Sequence, residues 1–409
     1  MKSKYFFKLD NIVQNYAWGS KSSFTTLLGI NNPENKPMAE LWMGAHPKAP
    51  SMTDEGPLGE LIGRDPETFL GSIAANRFEG KLPFLFKVLA AGAPLSIQAH
   101  PSKAQAEEGY GLENTLKVPF DAFNRNYKDD NHKPEILCAL TPFTAMWGFR
   151  SRDEIAAHFK AFGGLSEAEE LIEHFSKSDD REALKGFLEG LMSMERGGQK
   201  RLIETCLKNC DGGTGDTDDT GYFSALVSKW IKKFAELYPG DPGILSPLYL
   251  NILELKPGEA VYIPAGELHA YLDGTGMELM ANSDNVLRGG LTPKNVDVPE
   301  LLSCLSFSSR TPELVTPVSE AGVTVYPVPA EEFVLKKIEA SGTSVNLVVD
   351  SAQIMICLDG TLLCTTGSGE EADSINLEKG DSFFVSAAAG LCRIEGHGSL
   401  YSAGIPGKE

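Results

Sequence analysis

The chain has 409 residues, 42% of them hydrophobic and 23% charged, and a formal net charge of −19 at pH 7. That length is more than one hydrophobic core normally holds, so two or three domains are expected. The charge excludes nucleic acid and an anionic membrane as partners, and an anionic substrate would need a local cationic patch. The 41 Gly and 24 Pro favour a turn-rich, β-rich chain. No apolar run is long enough to cross a membrane. The first residues lack the apolar stretch and cleavage site of a secretory signal. Seven cysteines (Cys138, Cys206, Cys210, Cys304, Cys357, Cys364 and Cys392) without C-x-x-C spacing predict free thiols in a reducing cytoplasm.

Residues 1–60 alternate short apolar runs with Gly, Pro and Asn and read as strands and loops. Trp18 and the Glu40-Leu41-Trp42 stretch read there as buried aromatics. Residues 61–80 suit one or two short helices. The run from Phe84 to Leu89 predicts a strand interrupted by Lys87, whose ammonium must snorkel, pair or serve a ligand. A second strand follows the Ala91–Pro94 turn. Its period of two puts Leu95, Ile97 and Ala99 on one face and Ser96, Gln98 and His100 on the other. A Ser/Gln/His face suits a barrel interior; an exposed edge strand is the bland alternative. At residues 126–135 a polar, turn-rich string switches to an apolar run, and Pro134 lets Glu135 begin a strand.

Residues 151–239 change to helical spacing, as in Ile155/Phe159, Leu184/Leu188/Leu191 and Leu226/Trp230/Phe234. Ser151-x-x-Glu154 and Ser166-x-x-Glu169 read as capping boxes. Residues 211–220 read as a loop, without the Gly and terminal Glu of a calcium-binding motif. His158 and His174 read as ordinary helix residues. Next come a strand-like run from Leu248 to Leu255, a Pro257-Gly258 turn, a run from Ala260 to Ile263, a second turn, and His269. That order can set an imidazole on an inner wall. Residues 300–330 look like a connector, and 331–409 return to strands. The stretch from Leu255 to Gly266 resembles that from Leu377 to Ala388; continued without gaps, the match sets Leu391 where the first copy has His269. Two related barrels would follow, one with a site and one without.

Gln98, His100, Glu135 and His269 together suit a divalent metal such as zinc. One carboxylate against a 2+ ion would leave a strong Lewis acid. With these residues on the page, the chain resembles the type I phosphomannose isomerases. The resemblance rests on residues 15–19 (NYAWG), 94–101 (PLSIQAHP), 127–135 (YKDDNHKPE), 262–271 (YIPAGELHAY) and 282–294 (NSDNVLRGGLTPK). It implies a mainly β fold: two cupin-type jelly-roll barrels with an inserted α-helical domain. The expected division is a catalytic barrel from 1–150 and 246–310, a helical insertion at 151–245, and a degenerate barrel at 311–409. It implies one Zn²⁺ per chain on Gln98, His100, Glu135 and His269, and Arg288 as an active-site residue. The implied reaction interconverts mannose 6-phosphate and fructose 6-phosphate, in a cytoplasmic monomer.

An enediol mechanism needs a base beside the sugar carbons and a stabilised oxyanion. Lys133, His132 and Glu278 are the candidates for the base. Arg288 cannot readily deprotonate and is assigned to charge stabilisation. Lys87, Lys294 and Arg288, with Ser96 as a hydroxyl donor, are candidates for phosphate, with Trp18, Tyr271 and Asp284 as further substrate contacts. Two other classes stand beside this one: a non-catalytic cupin that binds a sugar or acid, and a cupin oxygenase, whose iron usually takes a more His-rich shell.

Overall fold

The structure is a computed structural model, and it describes residues 5–162, 165–173, 175, 179–211, 220–367 and 372–407. The 211–220 loop and His174 therefore lie largely or wholly outside the described residues. The fold is mainly β. One sheet of ten strands takes in residues 12–290, and one of nine strands is built mostly from residues 318–404.

The strand His269–Ala281 organises the ten-stranded sheet. Its first residues pair with Ile97–Ala99 and with Phe143–Phe149; His269 stands opposite Gln98 on one side and Trp147 on the other. Its later residues pair with Phe84–Ala91 and Glu135–Ala139. The register shifts between Tyr271 and Asp273. At Gly274 the backbone has φ +117°, and a Cβ would meet the Pro142 carbonyl at 2.6 Å, so only glycine fits this turn between the two pairings. One strand thus serves two groups of neighbours, and their inner faces share a cluster of Leu89, Leu137, Ala145, Trp147, Leu253, Ile263 and Tyr271.

The outer faces are buried as well. Leu41, Phe86, Val88, Ile136, Met277 and Leu279 join Tyr326, Phe333, Ile354, Phe384 and Tyr401 of the C-terminal region. Ile97, Met146, Phe149, Ala270 and Leu287 join Phe159, Leu184, Phe187, Trp230 and Phe234 of the helices. Burial on both faces explains why Phe84–Ala91 reads as a nearly unbroken apolar run rather than an alternating one. Lys87 is the exception, because it points into the polar side of the interior.

The predicted strands at Phe84, Glu135 and Ala260 begin as expected. Elsewhere the chain differs from its sequence reading. The second strand is only Ile97–Ala99, and Leu95 packs in the inner cluster rather than with Ile97 and Ala99. Residues 58–77 hold three short helices. The helix Lys103–Thr115 carries an unforeseen Ser102/Gln105 capping box. Ser151 and Glu154 do form their box, with Ser151 donating to Glu154 at 2.6 Å. Ser166 does not: it is the first residue of its helix, and its hydroxyl donates to Glu167 instead. The supposed connector contains the helix Val298–Cys304 and the strands Val318–Glu320 and Val323–Tyr326. The N-terminal strand Phe6–Lys8 pairs with Ser382–Val385 and so joins the sheet built mostly from residues 318–404.

The internal repeat is visible as strand order but not in the proposed alignment. Leu255 and Leu377 lie at or near strand ends, and Ala260–Ile263 matches Ser382–Val385. His269, however, is fully buried while Leu391 is 52% exposed. The inward residue near the start of the last strand is Cys392, opposite Leu347 and Thr366 and fully buried. The register is displaced by one residue, which in a strand exchanges the two faces.

Candidate metal centre

Three predicted ligands meet. Donor atoms of His100, Glu135 and His269 all lie within 4.8 Å of one another, and each residue is buried. His100 Nε2 is 3.2 Å from Glu135 Oε1, and His269 Nε2 is 3.6 Å from Glu135 Oε2. Each imidazole is turned by its other nitrogen. His100 Nδ1 donates to the Asn285 carbonyl at 2.7 Å, and His269 Nδ1 donates to the Glu267 carbonyl at 3.0 Å. Both Nε2 lone pairs are thereby left to face the carboxylate, the usual way a protein fixes the tautomer of a metal-binding histidine. Gln98 pairs in the ladder with both His269 and Arg288, so the three side chains emerge on one face.

The charge states suit a cation. Burial, then Lys133, lowers the His100 imidazole to about 4, and burial lowers His269 in the same direction. Burial alone would raise the Glu135 carboxyl, but Lys133 and the two imidazoles outweigh it and hold the group well below its ordinary range. At neutral pH the cluster is two neutral imidazoles and one carboxylate. His269 Nε2 is buried without a hydrogen-bond partner. An orphaned buried nitrogen beside a carboxylate is costly unless something binds it, so the donor set fits a zinc-type ion.

Lys133 is buried at the cluster, with Nζ 2.6 Å from Glu135 Oε1 and 3.5 Å from His100 Nε2. Tyr271 is fully buried and donates to Glu135 Oε2 at 3.1 Å. That hydrogen bond orients the carboxylate. Glu278 and Lys87 face each other on adjacent strands, 2.7 Å apart, and Glu40 lies 3.4 Å from the same ammonium. Burial pushes the Glu278 carboxyl up to about 7 even though Lys87 opposes it. Burial would lower the Lys87 ammonium, but Glu278 and Glu40 raise it overall. Lys87 is thus held between two carboxylates.

His132, another candidate for the base, has a partner from the C-terminal region. Its Nε2 is 2.6 Å from Glu332 Oε1, and it lines a separate cleft of about 990 Å³ that includes none of the four predicted ligands. A side chain reaching from a loop to the C-terminal region cannot be read from local sequence. Asp284 is held by Lys48 at 2.6 Å and His46 at 3.5 Å. Burial alone would raise its carboxyl, but those contacts keep it well below the ordinary range. Trp18 is half-buried, 5.7 Å from Tyr16 ring to ring and against the inner cluster. Ser96 is half-buried, just before the strand that carries Gln98.

The cationic patch required by a −19 chain is present. Burial lowers Arg288. Lys294, an exposed residue, is lowered by burial and then by Arg288 and Lys48. Lys128 is lowered by burial, then by Arg125, with Lys48 and Arg288 contributing. Lys128 and Lys294 thus each feel the charges of Lys48 and Arg288. Lys48 and Lys128 were not singled out from sequence. The positioning residue Asn285 was missed too: it accepts the backbone N–H groups of Lys128 and Asp129 and donates to Asn131, joining that loop to the carbonyl that holds His100. The sequence signal for Lys128 and Asn285 is membership in the 127–135 and 282–294 stretches; Lys48 lies in neither.

Comparison with known proteins agrees with this geometry. Residues 6–152 match the family description "Phosphomannose isomerase type I, catalytic domain", and residues 322–403 match "Mannose-6-phosphate isomerase, cupin domain". A mannose-6-phosphate isomerase of Escherichia coli is 41% identical over 400 residues, covering 96% of this chain and 98% of its own. The Homo sapiens mannose-6-phosphate isomerase is 34% identical over 413 residues, covering 95% of each. A solved mannose 6-phosphate isomerase bound with zinc and yttrium is 38% identical, with a TM-score of 0.88, and covers 98% of this chain and 99% of its own. No described helix is long and apolar enough to cross a membrane. The chain belongs to the type I phosphomannose isomerase family and is an isomerase.

Proposed function

We propose that the chain interconverts D-mannose 6-phosphate and D-fructose 6-phosphate through a cis-enediol, with one zinc ion held by Gln98, His100, Glu135 and His269. The observation that carries this reading is the buried His100–Glu135–His269 cluster, with both imidazoles neutral and turned toward one carboxylate. The ion would supply Lewis-acid polarisation of a sugar oxygen. Every other role falls to the protein. Arg288 and Lys294, with Lys128 and Lys48 behind them, bind the phosphate and fix the sugar's register. Glu278 carries the proton between C1 and C2, because a carboxyl near 7 can both accept and return it at neutral pH. Lys133 serves the substrate oxygens from beside Glu135. Burial of the cluster keeps bulk water from the enediol.

The same reading divides the chain into two jelly-roll units, at 1–150 with 246–310 and at 311–409, with helices inserted at 151–245. It makes the protein a cytoplasmic monomer. The test is isomerisation of mannose 6-phosphate by purified zinc-loaded protein, followed as fructose 6-phosphate. In D₂O, the proton taken from C2 should be delivered to C1, with deuterium appearing at C1 of fructose 6-phosphate wherever it exchanges with solvent on the way, while Glu278→Gln loses turnover with its zinc intact. A zinc-loaded wild type that makes no fructose 6-phosphate would sink the reading.

A further inference from the structure

A buried row of charges lies beside the metal centre and is not needed to hold it. Three neighbouring strands set Glu40, Lys87 and Glu278 on one inner wall. Trp42 is opposite Lys87 in the ladder, and Lys87 is opposite Glu278. All three charged groups are more than nine-tenths buried. Lys87 Nζ is 2.7 Å from Glu278 Oε2 but 3.4 Å from Glu40 Oε1. The other Glu40 oxygen accepts the Trp42 indole N–H at 2.8 Å, and the Lys87 ammonium lies 5.4 Å from the centre of the Trp42 ring. One ammonium therefore pairs with two carboxylates, more closely with Glu278, and the indole fixes the more distant one.

Such an arrangement has a cost that core packing alone does not explain. Two buried carboxylates sharing one cation leave a net negative charge in a low-dielectric wall. A lone Lys87–Glu278 pair would be neutral and easier to bury. The second carboxylate has one clear electrostatic effect: its negative field offsets part of the field of the ammonium, so that Glu278 keeps its affinity for a proton. The groups facing Glu278 are Lys87 and Glu40 from the neighbouring strands, Glu135 and Lys133 from the metal side, and Tyr271 from its own strand. Tyr16 faces Glu40 and Lys87. Of the two other carboxylates, Glu135 is committed to the metal cluster, so Glu40 is the one available to set the balance.

We infer that Glu40 is a positioning residue for the isomerisation: acting through Lys87, it keeps Glu278 basic enough to take a carbon-bound proton. This rests on the reading of Glu278 as the proton carrier. Replacing Glu40 by Gln keeps its shape and removes its charge. The Lys87 charge, already in contact with Glu278, then acts on it without that offset, and the carboxylate becomes a weaker base.

The test is the pH profile of zinc-loaded Glu40→Gln, with wild type assayed alongside. The acid limb of kcat/KM is expected to move to lower pH, and the plateau of kcat to fall roughly three- to tenfold as the base weakens. KM should change less than kcat, and zinc content should stay at the wild-type value. Glu40→Asp, which keeps the charge, should return the acid limb toward wild type. An acid limb that does not move in Glu40→Gln overturns the inference, and so does a failure of both variants to fold, which would make Glu40 a stability residue. Absence of turnover in wild type would take down the proton-carrier reading and this inference together. Normal wild-type turnover with an unmoved Glu40→Gln limb would sink the role of Glu40 alone.

Discussion

The strand His269–Ala281 and the strand Gly390–Gly404 occupy similar places in their sheets, yet only the first carries a site. Each follows two shorter strands joined by a Gly-containing turn. In the first, the inward residue near the start is His269, opposite Gln98 and Trp147 and facing Glu135. In the second it is Cys392, opposite Leu347 and Thr366, within a cluster of Ile338, Leu362, Cys364, Leu377 and Ile394. The difference teaches that this strand arrangement does not create a metal centre by itself. The centre needs a polar residue at the inward position, a carboxylate on a facing strand, and carbonyls such as those of Asn285 and Glu267 to turn the imidazoles.

The largest test of that contrast is the metal itself. Chelation should abolish turnover and Zn²⁺ should restore it; full activity in metal-free protein would break the comparison. His269→Leu should fold, because the surrounding cluster is apolar on one side, but should hold well below one zinc per chain and lose turnover. Metal analysis and circular dichroism check it. Stoichiometric zinc in that variant would remove His269 from the ligand set.

Next in size is Arg288→Ala. It shares a face with Gln98 but makes no ligand contact, so zinc should remain while kcat falls by about 10²–10³. Steady-state kinetics on protein of known zinc content decides this. Near-normal kcat and kcat/KM would leave Arg288 a structural residue.

A smaller effect should appear in the stability of metal-stripped protein. His100 is lowered to about 4, below the ~6.5 of an unfolded histidine. The unfolded chain therefore binds this proton more readily. The stability contributed by neutral His100 is fully present above about pH 6.5 and lost as pH falls to about 4. His269 acts in the same direction. Glu278, raised to about 7, acts in the opposite one: its contribution is lost as pH rises through 7. The measurement is thus a difference, Tm of wild type minus Tm of His100→Gln. It should shrink between pH 6.5 and 4, and a constant difference would contradict the burial of a neutral imidazole.

The smallest effects sharpen the one-residue displacement. Leu391→Ser, on the exposed face, should change stability by less than about 0.5 kcal/mol. Cys392→Ser, in the apolar cluster, should cost roughly 1–3 kcal/mol because its hydroxyl is buried there. Neither should alter zinc content. Equal costs in denaturant melts would mean that the two faces are not distinguished. Leu391→His should likewise bind no second metal, because an exposed imidazole there faces no buried carboxylate.

Much of the site was legible because its chemistry is concentrated in short strings. Ser96, Gln98 and His100 alternate along one stretch, Lys133-Pro134-Glu135 marks a strand start, and two turns precede His269. Lys87 was conspicuous as a charge inside an apolar run. What the sequence did not reveal were the distant partners of these side chains. His132 is claimed by Glu332, some 200 positions along the chain, and Tyr271 by Glu135. Lys87 is claimed by Glu40 and Glu278. No local pattern encodes such pairings.

The sequence by itself determined the family, the donor set His100, Glu135 and His269 with Gln98 beside it, and the alternation of β segments with a helical stretch. These follow from residue type and period, which local backbone geometry translates directly into faces and turns. Only the tertiary structure decided which side chains share a charge, which way each imidazole turns, and that Cys392 rather than Leu391 points inward. Those outcomes depend on burial and on distances between strands far apart in the chain. A shift of one residue in register, invisible in a match of short strings, exchanges a buried face for an exposed one.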